Sequence, residues 1–382
     1  MDKTEAIRLR EIGHALGAAL PIVILFVAVL SVPLSIAPKL ALSEGEVASW
    51  ILSAWGMPGL LTLLFVVFSR QPIVLTGNVF ALILVGSLSD RLSYSEAVAA
   101  FLCAGLAVVV VATFDITRFI ARWIPAPVVL GLLAGAIVPF VADTFTMIGS
   151  SPWLIAVPVV AYLMGRRFAR RVPAVLPALA AGLLTAWILG EFRQPPEILG
   201  FSRPSFTMPV FSLEAVVTVA PVLVVLVVLQ SNVPSIVYMK TQGLATPARV
   251  IDLVGGTSTI VGSLFGPTTV ALSLPVTSLV ANKRLGSVNT GAVAAAIAGA
   301  SLVLIGFLGR AAAELPAFVP MPLLLTLAGL AMIDVFVGTM RSLIRSPLLL
   351  GPLLAFAVVL SDMTLFGLGR FFWFKNHFWK WE

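Results

Sequence analysis

Residues 124–138, IPAPVVLGLLAGAIV, read almost the same as residues 319–333, VPMPLLLTLAGLAMI, so one apolar segment that starts Pro-x-Pro occurs twice, 195 positions apart. The same offset places Gln71-Pro72-Ile73-Val74-Leu75-Thr76 on Gly266-Pro267-Thr268-Thr269-Val270-Ala271, and Ala100 to Val108 on Ala295 to Val303. Matches in order across several segments indicate an internal duplication. In membrane chains, duplication of this kind is the mark of transporters whose binding site lies between the repeats.

Composition identifies lipid as the solvent. The chain is 59% apolar and only 11% charged, with a mean hydropathy of +1.08, values foreign to a water-soluble globule. A helix needs about 20 apolar residues to cross the hydrocarbon, and about fourteen candidate stretches of roughly that length are present. In the first half they lie near 13–37, 50–68, 71–88, 94–113, 123–142, 152–165 and 173–190. The second half gives 211–231, 247–265, 267–281, 289–309, 318–338, 347–361 and 363–374.

The positive-inside rule supplies an independent check. With the N-terminus in the cytoplasm, 19 of the 24 Lys and Arg residues fall on the inner side, and only Lys39, Arg91, Arg193, Arg203 and Arg310 fall outside. Both termini are then cytoplasmic, as expected for a bacterial inner (plasma) membrane protein. Seven spans per repeat is an odd number, so the two halves are expected to be inverted. The expected fold is an all-α polytopic 7+7 inverted repeat with core and gate domains. The first repeat occupies 1–190, an external linker 191–210, the second repeat 211–374 and an aromatic, basic tail 375–382.

The remaining composition narrows the function. The first apolar run lacks a small-residue cleavage pattern and reads as a retained span. Cys103 is the single cysteine, so neither an intrachain disulfide nor a cysteine metal site is expected, and no metal or cofactor is implied. The formal charge of +7 gathers on the cytoplasmic face, where it meets anionic membrane lipids rather than nucleic acid. His14 and His377 are both near the termini, and no intramembrane pair of carboxylates or phosphate-binding glycine loop occurs. An enzyme is not expected, and without an ATPase domain transport would be secondary.

Chemistry is expected where the spans are imperfect, because lipid tolerates non-helical backbone only inside protein or beside a water-lined cavity. The third span opens Gln71 to Thr76 with a proline and β-branched residues, then reaches Gly77-Asn78 before Val79-Phe80. Its repeat mate runs Gly266 to Pro275 and enters from the opposite face. Two short extended strands are therefore expected to pair antiparallel, each handing over to a half-helix whose free N–H groups and positive dipole end face the centre. Asn78 and Ser273 are equivalent under the offset and suit capping or ligation. A third polar cluster, Gln230-Ser231-Asn232 before Pro234, ends the eighth span and either contacts substrate or ties helices together.

These residues resemble those of the benzoate/proton symporters of the BenE type, which carry an Ala-Ser-Gln-Asn-Leu-Pro-Gly-like motif here and a Phe-Gly-Gly-His-like motif after it. This chain has Gln230-Ser231-Asn232-Val233-Pro234-Ser235 and Phe265-Gly266-Pro267-Thr268, with the third-span Arg70-Gln71-Pro72 opening. The resemblance implies the fold shared with uracil and sulfate permeases and a substrate held between the third, eighth and tenth spans. Candidate binding residues are Thr76, Gly77, Asn78, Phe80, Gln230, Ser231, Asn232, Thr268, Thr269 and Ser273. Thr268 stands where the family motif has histidine, and the acidic residues of uracil permeases in spans eight and ten are absent.

The implied substrate is a small organic anion, benzoate or a related aromatic carboxylate, moved by alternating access with a proton as coupling ion. A titrating group inside the membrane is then required, and Asp334 in span twelve is the candidate. Asp143, Asp252 and Asp362 are placed near the membrane boundaries. A uracil- or xanthine-type permease and an anion-conducting channel are the alternatives, and a second copy of the chain is a partner left open.

Overall fold

The computed structural model describes residues 3–88, 92–122, 125–149, 151–168, 174–192, 201–309, 311, 318–346 and 350–361. The elements before the linker are α1 (Lys3–Val29), α2 (Glu44–Ser69), β1 (Leu75–Gly77), α3 (Val79–Ser87), α4 (Tyr94–Thr113), α5 (Ala126–Thr146), α6 (Pro152–Phe168) and α7 (Val175–Ile188). After it come α8 (Leu213–Thr241), α9 (Ala248–Ser263), β2 (Val270–Leu272), α10 (Leu274–Val280), α11 (Val288–Phe307), α12 (Met321–Ile344) and α13 (Leu350–Leu360). Among the described residues, six helices are long and apolar enough to cross a membrane by length and composition. The expected fourteenth stretch, 363–374, and the 375–382 tail lie outside the described residues, as do 193–200 of the linker.

Local sequence explains where the helices start. Ser43 and Ser93 each form a capping box with a glutamate three residues on, Glu46 and Glu96, which satisfies otherwise orphaned N–H groups. Two helices contain a π-helical turn, Leu52–Gly56 in α2 and Leu226–Asn232 in α8. In α8 the Val233 N–H reaches back to the Val228 carbonyl. Pro234, which follows, has no N–H to give to Gln230, so the ladder is already broken there.

Helix α4 packs along α9, α2 along α11, α5 against α12 and α13, and α6 against α7. At the α4/α9 crossing the backbones nearly touch, since a methyl group on Gly105 would sit 2.9 Å from the Gly256 carbonyl oxygen. Small residues at such crossings are how helices associate in lipid, where apolar side chains gain nothing by leaving the solvent. Outward-facing Phe68, Trp153 and Trp187 remain exposed, as suits a surface covered by acyl chains. The described part of the linker, from 201 onward, runs across helix ends, with the Ser202 N–H donating to the Phe307 carbonyl (2.8 Å) and the Thr207 N–H to the Leu264 carbonyl (2.8 Å).

The two strands pair antiparallel in the register Leu75 with Leu272, Thr76 with Ala271 and Gly77 with Val270. The central pair joins residues 195 positions apart, which are the repeat-equivalent residues read from the duplication. A local two-fold axis of the strand pair therefore passes between Thr76 and Ala271. Each strand is held alike from its own half: the Leu75 N–H donates to Thr62 Oγ1 (2.9 Å) and the Val270 N–H to Thr259 Oγ1 (3.0 Å).

Candidate functional site

Gly77 is required at its place because a Cβ there would lie 2.5 Å from the Ala54 carbonyl oxygen in the π-turn of α2. Close approach of strand and helix leaves the next residue, Asn78, at the mouth of α3. Asn78 is the N-cap, and its Oδ1 accepts from the Phe80 N–H (3.0 Å) and the Ala81 N–H (3.4 Å). Its Nδ2 donates to Ser231 Oγ (3.0 Å), so the first half-helix is tied to the broken part of α8. Across the axis the arrangement differs. Ser273 is the N-cap of α10 but its side chain makes no capping bond.

Around this crossing lies a cavity of about 370 Å³. Of the sequence candidates, Thr76, Gly77, Asn78, Phe80, Gln230, Ser231 and Ser273 line it. Phe80 is 44% exposed and forms a wall of the opening. Gln230 is buried, and its Oε1 has no hydrogen-bond partner. The size falls in the usual ~300–1,000 Å³ range of small-molecule sites, and mostly apolar walls with a few convergent polar groups fit the same pattern. Phe26, Trp55, Pro139 and Val359 are among the apolar residues of the wall. Sequence reasoning missed these four, because an apolar residue within an apolar span carries no signal of which face it presents.

Three candidates lie elsewhere. Thr268 and Thr269 are fully buried in the chain leading into β2, outside the lining, and their hydroxyls have no partner. Asn232 is also outside it and fully buried. Its Oδ1 accepts the Leu272 N–H (2.9 Å) and its Nδ2 donates to Asp252 Oδ1 (2.7 Å), so it holds β2 from behind.

Asp252, placed at the membrane boundary by sequence, has 0% of its surface exposed. The reason is the short helix Ile116–Ile120, which follows α4 and covers the start of α9 with Thr117, itself buried. Asp334 belongs to α12, but its side chain, like Asp143 and Asp362, lies outside the described residues. Among the described residues, no group of three or more His, Cys, Asp or Glu side chains is placed to hold a metal.

Comparison with known proteins identifies the family from its own description. The family model for the benzoate membrane transport protein, BenE, matches residues 10–374. The chain belongs to this family. Within it, the benzoate membrane transport protein of Acinetobacter baylyi is 25% identical over 306 residues, covering 80% of this chain and 77% of the relative. The inner membrane protein YdcO of Escherichia coli is 23% identical over 334 residues, covering 87% and 85%.

The transmembrane domain of a cyanobacterial bicarbonate transporter, BicA, aligns with a TM-score of 0.53 at 17% identity, covering 91% of this chain and 94% of that one. At that identity the likeness is one of fold. This BenE-family chain is thus an integral membrane protein of a transporter family, mostly helical, with a fold similar to that of the BicA transmembrane domain.

Proposed function

We propose that the protein is a secondary active transporter of a small organic anion, benzoate or a closely related aromatic carboxylate, working by alternating access with a proton as coupling ion. The observation that carries this reading is the cavity at the strand crossing, where the Asn78, Gln230, Ser231 and Ser273 side chains converge among apolar and aromatic walls. Membership of a benzoate transport family and the name of the Acinetobacter relative support the choice of benzoate. A carboxylate needs donors, which Gln230 and the two serine hydroxyls can supply. An aromatic ring needs apolar cover, which Phe80, Phe26 and Trp55 can give.

The same reading holds that fourteen spans form two inverted repeats, 1–190 and 211–374, that rock about the site with both termini in the cytoplasm. The strand register centred on repeat-equivalent residues favours the inversion, since antiparallel pairing of equivalent strands needs a two-fold axis between them. Asp334 is the carboxylate that the sequence offers for proton coupling.

The test is uptake of labelled benzoate by proteoliposomes with and without an inward proton gradient, against empty liposomes. Gradient-driven accumulation is expected. Absence of benzoate entry with folded protein, or inhibition by uracil or xanthine in place of benzoate, overturns the substrate; currents too large for a carrier cycle would indicate a channel.

A further inference from the structure

Asp252 is the buried titratable group that the substrate cavity does not use. It has no exposed surface, and only one of its carboxylate oxygens is hydrogen-bonded. The orientation of its partner is fixed by the backbone. The Leu272 N–H is a pure donor, so the amide oxygen of Asn232 must face it and the amide nitrogen must face Asp252. Oδ2 has no hydrogen-bond partner, and the buried Thr117 hydroxyl near the carboxylate has none either.

A buried carboxylate with one free oxygen beside one free hydroxyl is suited to two charge states. When Asp252 is ionised, the Thr117 hydroxyl can rotate to donate to Oδ2; when a proton is on Oδ2, it can donate to Thr117 Oγ1. The Asn232 amide donates to Oδ1 in both. Among the described residues, no counter-ion is paired with the carboxylate. Asp115, at the entry to the short helix carrying Thr117, is a charged neighbour of Asp252, and it is paired with Arg118 at 3.4 Å. Arg249 on α9 itself is exposed, as is Lys240 at the end of α8, and Glu96 on α4 caps the far end of that helix. On α2, the acidic Glu44 and Glu46 lie in its first turn, and β2 carries no charge.

We infer that Asp252 is a proton-binding residue of the transport cycle, linked to the substrate cavity through Asn232 and the Leu272 N–H. This rests on the benzoate-transport reading above. The chain of contacts runs from the Asp252 carboxylate to the Asn232 amide, to the backbone of β2, and to Leu272 and Ser273, both of which line the cavity. One side chain and one strand residue therefore separate the carboxylate from the cavity lining. A bound anion and an ionised Asp252 in the same low-dielectric interior oppose one another. Neutralising Asp252 by proton uptake removes the repulsion, and by linkage anion binding and proton binding favour each other equally. Loss of the charge also weakens the grip of Asn232 on the carboxylate, since the bond between them is charge-assisted, and so relaxes the hold on β2.

Three variants and one measurement on unaltered protein test the assignment. In proteoliposomes, Asp252→Asn should lose benzoate accumulation driven by a proton gradient while keeping benzoate/benzoate exchange, which needs no net proton movement. Asp252→Glu should restore gradient-driven accumulation with a displaced pH profile. Should Asp252→Asn fail to fold, wild-type protein in weakly buffered detergent carries the test: benzoate addition should take up protons, and Thr117→Val should shift the pH dependence of that uptake. Gradient-driven accumulation by Asp252→Asn equal to wild type, or benzoate binding without proton uptake by wild type, overturns the inference. Wild-type protein that neither binds nor exchanges benzoate would instead refute the substrate assignment.

Discussion

Asn78 performs two tasks with one amide, capping α3 through Oδ1 and tying Ser231 through Nδ2. Asn78→Ala is expected to cost about 1 kcal/mol of stability from the lost cap and to weaken benzoate uptake, because the bond that sets Ser231 at the cavity is gone. Gln230→Ala leaves every described hydrogen bond intact, so its effect should fall on affinity. Losing one hydrogen bond to a charged ligand costs about 1.5–3 kcal/mol, or roughly a ten- to hundredfold rise in half-saturating benzoate. Equilibrium binding of labelled benzoate, beside thermal unfolding in detergent, separates the two. Asn78 was legible in sequence because an asparagine after Thr-Gly and before an apolar run reads as a helix cap. Asn232 was read as a ligand, and its attachment to Leu272 was not legible, since nothing within residues 230–235 says which strand lies behind them. Asp252 misled for a related reason: four residues into its helix it reads as interfacial, and only the tertiary cover by Thr117 buries it.

Each strand depends on a threonine of the helix before it, Thr62 for Leu75 and Thr259 for Val270. Replacing either by isosteric valine leaves a buried N–H without an acceptor, at a cost of about 1–3 kcal/mol. Thr62→Val and Thr259→Val should each lower the melting temperature in detergent, since each removes the acceptor of one strand N–H. Only three residues of each strand are needed, and a three-residue strand has no periodicity to detect. The pair was nonetheless readable, because the duplication supplied the partner: the 195-residue offset that aligns Thr76 with Ala271 is also their register. The π-turns themselves were not readable: a proline lies two residues past each, Pro58 in α2 and Pro234 in α8, but a proline breaks the helical ladder without saying which turn results.

The charge asymmetry makes a prediction about the entire chain. In a background with Cys103 replaced by alanine, Arg203→Cys should react with an impermeant maleimide on intact cells. Arg249→Cys should react only after permeabilisation. The opposite pattern would reverse the orientation, and labelling of both from outside would break the span count. The helical, membrane-spanning character of the chain was open to reading because lipid reduces the problem to apolar length and loop charge. The faces that pack together were not, because uniformly apolar helices look alike from every side. The strand crossing also orders the events of biosynthesis. When Leu75 to Gly77 enters the membrane its partner has not yet been made, and at about 5–20 residues per second the 195-residue gap delays pairing by roughly 10–40 seconds. For that interval the N-terminal half carries an unsealed edge in the bilayer, so newborn chains need shelter from the insertion machinery, and a half-length product should be degraded rather than accumulate as a stable fragment.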